Sequence, residues 1–247
     1  MRTAGSVVRT VAALVGGVAL VAGCGTGDGG GHDKGGAAAS SPKAAGATQA
    51  APTTHLAQVP DVDALQKKIP ADSRQVVAVY GKGVDSPDAT VALYVKGAKG
   101  WDRKDLWSAH NGKRGWTTDH HEGDKRSPVG VFGLTDAGGV LPSPGTKLPY
   151  SHSAAFTPPS YWAKSTRHDF DYVVAINYNR TPGTSPLDPG RPLGQSKGGG
   201  IWLHLDHGSG TSGCVSLPKP ALRTLLGTLD PAAHPVVVMG DKGHLAA

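Results

Sequence analysis

From Gln75 onward, short apolar runs alternate with segments dense in glycine, proline and polar residues, a pattern that predicts many brief strands and few helices. Gln75 to Tyr80 and Thr90 to Lys96 read as a hairpin around the turn-forming stretch Gly81 to Asp88. Val131 to Leu134, Tyr172 to Tyr178, Ile201 to Leu205 and Val236 to Met239 supply further strands. Two segments have helical spacing. Val62, Leu65 and Ile69 mark a short helix capped by Asp61 and stopped by Pro70, and Leu222, Leu225, Leu226 and Leu229 mark a second over Lys219 to Leu229. The loops are long, and Arg180 to Gly200 is the longest. Such loops on a β scaffold usually carry a site.

Composition agrees with this pattern. The 247 residues include 36 glycines and 19 prolines with only 6% aromatics, which suits one mostly β domain of about 190 residues from Leu56 to the C-terminus. Net charge is +6, or about +4 without Arg2 and Arg9, and it is spread along the chain. No Lys/Arg tract alternates with aromatics, so nucleic acid is not an expected partner. An anionic polymer or a membrane surface suits the mild basic excess.

The N-terminus differs in kind. Arg2 and Arg9 precede an apolar run from Val11 to Ala22 that is too short for a membrane span, so residues 1–23 read as a signal peptide. Val21-Ala22-Gly23-Cys24 resembles the lipobox of bacterial lipoproteins, which implies a lipid on Cys24 and anchoring at the outer face of the cell membrane. Between Gly25 and His55 there is no Leu, Ile, Val, Phe, Tyr or Trp. Residues 24–55 therefore read as a lipidated, flexible tether with a reach of roughly 30 Å.

Candidate chemistry is concentrated in Gly200-Ile201-Trp202-Leu203-His204-Leu205-Asp206-His207-Gly208-Ser209-Gly210-Thr211-Ser212-Gly213-Cys214-Val215-Ser216-Leu217. An apolar strand delivers His204, a glycine-rich loop follows, and Cys214 comes straight after Gly213. A thiol attacks a carbonyl as thiolate, so Cys214 as nucleophile calls for a neighbouring imidazole that activates it at neutral pH. His204 fits that need better than His207, because a strand end holds a ring more firmly than a loop flanked by Gly208 does. The spacing alone also fits a buried, inert cysteine. His110, His120, His121 and His207 read as exposed loop residues, and no histidine spacing matches a zinc motif, so neither metal nor cofactor is expected. Lys125 and Arg126 are candidate contacts for substrate carboxylates.

Thr211-Ser212-Gly213-Cys214-Val215, with Ile201-Trp202-Leu203-His204 upstream, resembles the catalytic motif of the L,D-transpeptidase (YkuD) family. Gly123-Asp124-Lys125-Arg126-Ser127-Pro128-Val129-Gly130-Val131-Phe132 resembles that family's Thr-Pro-x-Gly segment. The resemblance spans roughly Gln75 to Met239. It implies a β-sandwich or barrel with a short helix after the nucleophile loop, and a cysteine that forms a thioester with a peptidoglycan stem peptide. By the same resemblance His204 is the base, oriented by a group at Leu205 or Asp206. Thr211, Ser212, Gly213 and Asp206 would serve the oxyanion and substrate, with N–H groups offered by Gly213 and Cys214.

Two positions depart from the family pattern. Ser212 stands where most members have histidine, and Ser216 where most have arginine. The loop from His204 to Cys214 is also short. The resemblance leads to a peptidoglycan L,D-transpeptidase; a hydrolase of the same fold, such as an L,D-carboxypeptidase, and a non-catalytic wall-binding lipoprotein are the alternatives.

Overall fold

The computed structural model describes residues 55–247; the segment read as signal peptide, Cys24 and nearly all of the tether lie outside the described residues. Two of the most apolar runs in the domain, Gln75–Gly81 (β1) and Val236–Asp241 (β12), lie side by side in parallel, with Val76 opposite Val236 and Val79 opposite Met239. Strands buried on both faces need apolar residues at every position rather than at alternate ones. That requirement explains the unbroken Val-Val-Ala-Val and Val-Val-Val-Met sequences.

Among the described residues twelve strands form in chain order. Between β1 and β12 come β2 (Asp88–Gly97), β3 (Gly100–His110), β4 (Trp116–Thr117), β5 (Ser127–Pro128), β6 (Gly130–Gly133), β7 (Asp136–Gly139), β8 (Tyr150–His152), β9 (Val173–Ala175), β10 (Trp202–Leu205) and β11 (Val215–Leu217). Ten of them form one sheet in the order β6-β12-β1-β2-β3-β11-β10-β9-β7-β8, and β4 pairs with β5 apart from it. The fold is mostly β, as the pattern predicts, and β1 and β2 form the expected hairpin.

A single residue pair, His110 with Ser216, joins the two halves of the large sheet. Val77, Val79, Val91 and Leu93 from one half share a core with Leu203, Leu205, Val215 and Leu217 from the other. The sheet therefore bends at β3 and closes on itself like a sandwich. The helix α2 (Lys219–Thr228) adds Leu222, Leu225 and Leu226 to that core, each fully buried and contributing about 2 kcal/mol by removal from water. Its spacing of three and four residues is the amphipathic pattern read from the sequence.

The other faces of β1 and β12 pack on Val62 and Leu65 of the N-terminal segment and on Leu245 of α3 (Lys242–Ala246). The first helix, α1, covers only Asp63–Gln66. Asp61 is not its cap: Val62 holds that position and makes no side-chain bond, while Asp61 takes a positive φ of 55°. β3 was not predicted. Its Asp102-Arg103-Lys104-Asp105 centre is half-exposed, because β3 pairs along its full length only with β2.

The long loop beginning at Arg180 is rooted in a buried ion pair. Arg180 Nη1 meets Asp136 Oδ2 at 2.9 Å, with both side chains over 95% buried. The same carboxylate oxygen accepts from the Thr135 hydroxyl and the Gly183 N–H, and Arg180 Nη2 donates to the Thr184 carbonyl. Further along, the Asn179 amide accepts from Leu193 N–H and donates to the carbonyls of Gly194 and Gly198. Charge and hydrogen bonds are thus satisfied together, the condition under which a buried pair holds structure.

Candidate active site

β10 and β11 run parallel, with Leu203 opposite Val215 and His204 opposite Ser216. Side chains alternate across a sheet, so Leu203, Leu205, Val215 and Leu217 enter the core, leaving Trp202, His204, Cys214 and Ser216 on the other face. Cys214 immediately precedes β11 and lies on the same face as His204, diagonal to it across the strand pair, with no hydrogen bond between thiol and imidazole among the described residues. Both line a cleft of about 770 Å³.

His204 is 3% exposed, and its Nδ1 lies 2.8 Å from the Leu205 carbonyl. A carbonyl only accepts, so this bond assigns the proton to Nδ1 and leaves Nε2 unprotonated. Of the two orienting groups considered from sequence, the Leu205 carbonyl is the one in contact. Phe170 stands edge-on to His204 at 5.3 Å and to Trp202 at 5.1 Å, with Trp162 beyond it, forming an aromatic wall. Burial pushes the His204 pKa down to about 4; the Leu205 carbonyl opposes this and the neighbouring His207 reinforces it.

The Cys214 thiol accepts from Trp202 N–H at 3.4 Å and faces the Gly200 carbonyl at 3.5 Å. Burial pushes its pKa up to about 11, against the Trp202 N–H and with the help of the Asp169 carboxylate. Desolvation disfavours the charged form of each group, so the resting pair is neutral thiol and neutral imidazole.

Ser127, from the Ser-Pro-Val-Gly segment, reaches the back of the nucleophile loop. Its hydroxyl accepts from Gly112 N–H at 2.9 Å and donates to the Gly213 carbonyl at 2.7 Å. Carbonyl and N–H point in opposite directions across a trans peptide, so fixing Gly213 C=O toward buried Ser127 turns the Cys214 N–H the other way. Thr211 clasps the same turn: its hydroxyl accepts from Gly213 N–H and donates to the Cys214 carbonyl. Gly213 N–H is thus already bonded, contrary to the expectation that it is free for an oxyanion. Gly213 has a φ of 150°, and a Cβ there would come within 3.1 Å of the Arg126 carbonyl. That close approach accounts for glycine before the cysteine.

Asp206 does not line the cleft. Its Oδ1 takes hydrogen bonds from the Ser216 hydroxyl at 2.7 Å and from His110 Nδ1 at 2.8 Å, and its Oδ2 accepts from Gly208 N–H. Burial alone would raise its pKa, but these bonds outweigh it and hold the carboxyl below its ordinary value. The carboxylate so ties β3, β10 and β11 together, and Ser216 has the size this bridge requires. Ser212, by contrast, is exposed on the cleft rim.

The remaining histidines divide. His121 is exposed as expected, whereas His120 is 5% exposed, edge-on to Tyr178 at 5.3 Å behind Gly213. His207 is not an exposed loop residue: its side chain is 12% accessible, with Nδ1 3.0 Å from Asp169 Oδ2. Among the described residues no three His, Cys, Asp or Glu side chains converge as a metal site would require.

Three cations line the cleft, Lys113, Lys125 and Arg191. None has an ion-pair partner among the described residues, and Arg191 is held only by the backbone carbonyls of Asp188 and Gly190. Arg126 is not among them, because Asp85 takes it at 2.8 Å. Sequence reasoning missed Asp169, Phe170 and Arg191, which come from segments without any periodic pattern. The prolines around Arg191 and the length of its loop were the available signal.

A thiol and an imidazole on one face, a buttressed turn and a basic cleft make up the candidate site. Comparison gives the class: the family model for the L,D-transpeptidase catalytic domain (YkuD) matches residues 84–238, and the chain belongs to that family. No curated protein matches the chain. Among solved structures, that of Bdellovibrio bacteriovorus Bd1075 is similar at 14% identity and a TM-score of 0.38, covering 76% of this chain and 52% of that one. The chain thus spans about half the length of that protein.

Two outcomes follow from this geometry. At pH 7 Cys214 should react with iodoacetamide about 100-fold more slowly than an ordinary thiol, since a pKa raised from 9.0 to about 11 lowers the thiolate fraction by that factor. The rate should climb until near pH 11; a plateau below pH 8 would demonstrate a preformed thiolate. Ser127→Ala leaves Gly112 N–H and Gly213 C=O without their partner, a cost of about 1–3 kcal/mol visible as a lower Tm. Because the Cys214 N–H loses its fixed direction, acylation of Cys214 should slow by roughly 10-fold or more in the folded variant.

Proposed function

We propose that the protein is a peptidoglycan L,D-transpeptidase, with Cys214 as nucleophile and His204 as base. The observation that carries this reading is the shared face of β10 and β11, on which thiol and neutral imidazole open onto one cleft. Lys113, Lys125 and Arg191 suit a donor that is itself a peptide rich in carboxylates.

In the first half of the reaction His204 Nε2 takes the thiol proton as sulfur attacks the carbonyl carbon of the scissile peptide bond. The neutral resting pair makes this proton transfer part of the barrier rather than a step completed beforehand. The Cys214 N–H, with the Ser212 hydroxyl at the rim, receives the developing oxyanion. Collapse breaks the carbon–nitrogen bond, releases a D-amino acid and leaves a thioester, which conserves the energy of the broken bond. An acceptor amine then attacks the thioester, giving a 3-3 cross-link or an exchanged terminal residue.

The aromatic wall of Phe170, Trp202 and Trp162 favours an amine over water, because it lowers the water content next to the thioester. Incubation with purified disaccharide tetrapeptide and analysis of the products by mass tests the reading. Dimer, or exchange with an added D-amino acid, is expected, with both lost in Cys214→Ala. Tripeptide alone over a range of acceptor concentrations would identify an L,D-carboxypeptidase instead. No turnover and no acylation would leave a wall-binding lipoprotein.

We further propose that a lipid on Cys24 anchors the protein at the outer face of the membrane and that residues 25–55 let the domain work within the wall. Cys24→Ser should then move the protein from the membrane to the soluble fraction. Quantitative retention of that variant on membranes in high salt would refute lipid anchoring.

A further inference from the structure

The mechanism above leaves one buried pair of titratable groups without a task. Asp169 is 3% exposed and lies in the segment before β9, while His207 follows β10. Both line the cleft that holds Cys214. His207 Nδ1 is buried without an aligned hydrogen bond, and the Asp169 carboxylate stands 3.0 Å from it. The Asp169 carbonyl in turn accepts from Leu205 N–H at 2.9 Å, which ties the pair to the strand that carries His204. The rings of His204 and His207 lie face to face, 6.4 Å apart and 10° from parallel. His204 Nδ1 is bonded to the Leu205 carbonyl and His207 Nδ1 faces the Asp169 carboxylate, so the Nε2 atom of each ring is the nitrogen left for the cleft.

We propose that His207, positioned by Asp169, is a second proton carrier of the transfer reaction: it protonates the leaving amine and later deprotonates the attacking one. This rests on the reading of the protein as an amide-cleaving acyltransferase. For this role His204 enters the reaction neutral and His207 enters it carrying a proton beside the Asp169 carboxylate. When His204 takes the thiol proton, two adjacent rings would both be cationic, which their spacing disfavours. Loss of the His207 proton to the departing nitrogen relieves that repulsion as the carbon–nitrogen bond breaks. The thioester state then holds protonated His204 and neutral His207. In the second half His207 accepts the proton of the attacking amine, the thiolate leaves, and His204 returns the first proton to sulfur. Each ring ends as it began.

A one-histidine mechanism must use the same nitrogen on the thiol and on the amine in turn. Two rings let each face a different reacting atom. Asp169 serves only to fix His207 and to stabilise its charge; burial keeps the Asp169 pKa up at about 6, against the attraction of His207.

The test compares two donors on the full chain: the stem tetrapeptide, and an analogue with a thioester in place of the scissile amide. A thiolate leaves without a proton, so only the amide needs His207. His207→Gln should lower amide cleavage roughly 10²–10⁴-fold while acylation of Cys214 by the thioester, read by intact mass, stays within about threefold. Transfer from the preformed acyl-enzyme to a D-amino acid should slow to a similar extent. Asp169→Asn, which retains His207, should show the same division with a smaller loss. The thioester acylation is itself the check that each variant is folded. Equal losses on both donors, or no loss on the amide, would overturn the proposal. Wild-type protein that is acylated by the thioester yet cleaves no stem amide would overturn the substrate reading and this one with it; His207→Gln that matches wild type on both donors would overturn this one alone.

Discussion

The parallel pairing of β10 with β11 is the constraint on which the site depends. Parallel neighbours normally require a crossover of a dozen or more residues, because the chain must return to the end from which it started. Here residues 206–214 suffice, since both strands are only three or four residues long. The return path runs beside the segment after β3, where Thr211 bonds to Asn111 and Lys113 through its backbone. Its destination is fixed: the chain re-enters next to Trp202, so that the residue before β11 has its side chain against the start of β10. That residue is Cys214. A longer pair of strands would carry the same cysteine away from the imidazole.

Such a short return gives the loop little freedom, and its polar groups are bonded inward. Ser127 and Thr211 hold the carbonyls of Gly213 and Cys214, while Asp206 gathers Ser216, His110 and Gly208 at the other end. These contacts set the direction of one N–H and the height of one thiol without touching substrate. They also explain how a serine serves at position 216, where a longer, charged side chain would displace either His110 or the carboxylate.

Much of the fold was legible because burial on both faces writes itself as unbroken apolar sequence, as in β1 and β12, and burial on one face as the leucine spacing of α2. β3 was not, since half its surface meets water and its residues are those of an exposed edge. β7, Asp-Ala-Gly-Gly, has no strand signature at all; Gly138 and Gly139 are there because Phe156 and the Asp171 carbonyl leave no room for a Cβ. Within the site, the placing of Cys214 and His204 in one cleft was legible from a motif, and the contact of His204 with the Leu205 carbonyl from the same resemblance. The surroundings of His207 were not, because Asp169 lies 38 positions away in a segment with no pattern, and only the folded chain brings a carboxylate beneath that ring.

The same burial that organises the site also determines its chemistry. A thiol and an imidazole in water already favour the neutral pair by about two pKa units, and here desolvation widens that gap by opposing charge on both. The neutral pair protects the nucleophile from adventitious electrophiles between turnovers. On the proposed mechanism it also makes activation depend on what enters the cleft: a bound donor would supply the carbonyl that receives the sulfur and the nitrogen that receives a proton, so charge would develop only where the Cys214 N–H and the Asp169–His207 pair can answer it. On the proposed reaction, the aromatic side chains that line the cleft beside the thiol would also border a thioester formed there. Reluctant ionisation of the thiol and the proposed preference for an amine acceptor would then share one piece of packing, Phe170 against Trp202 and His204.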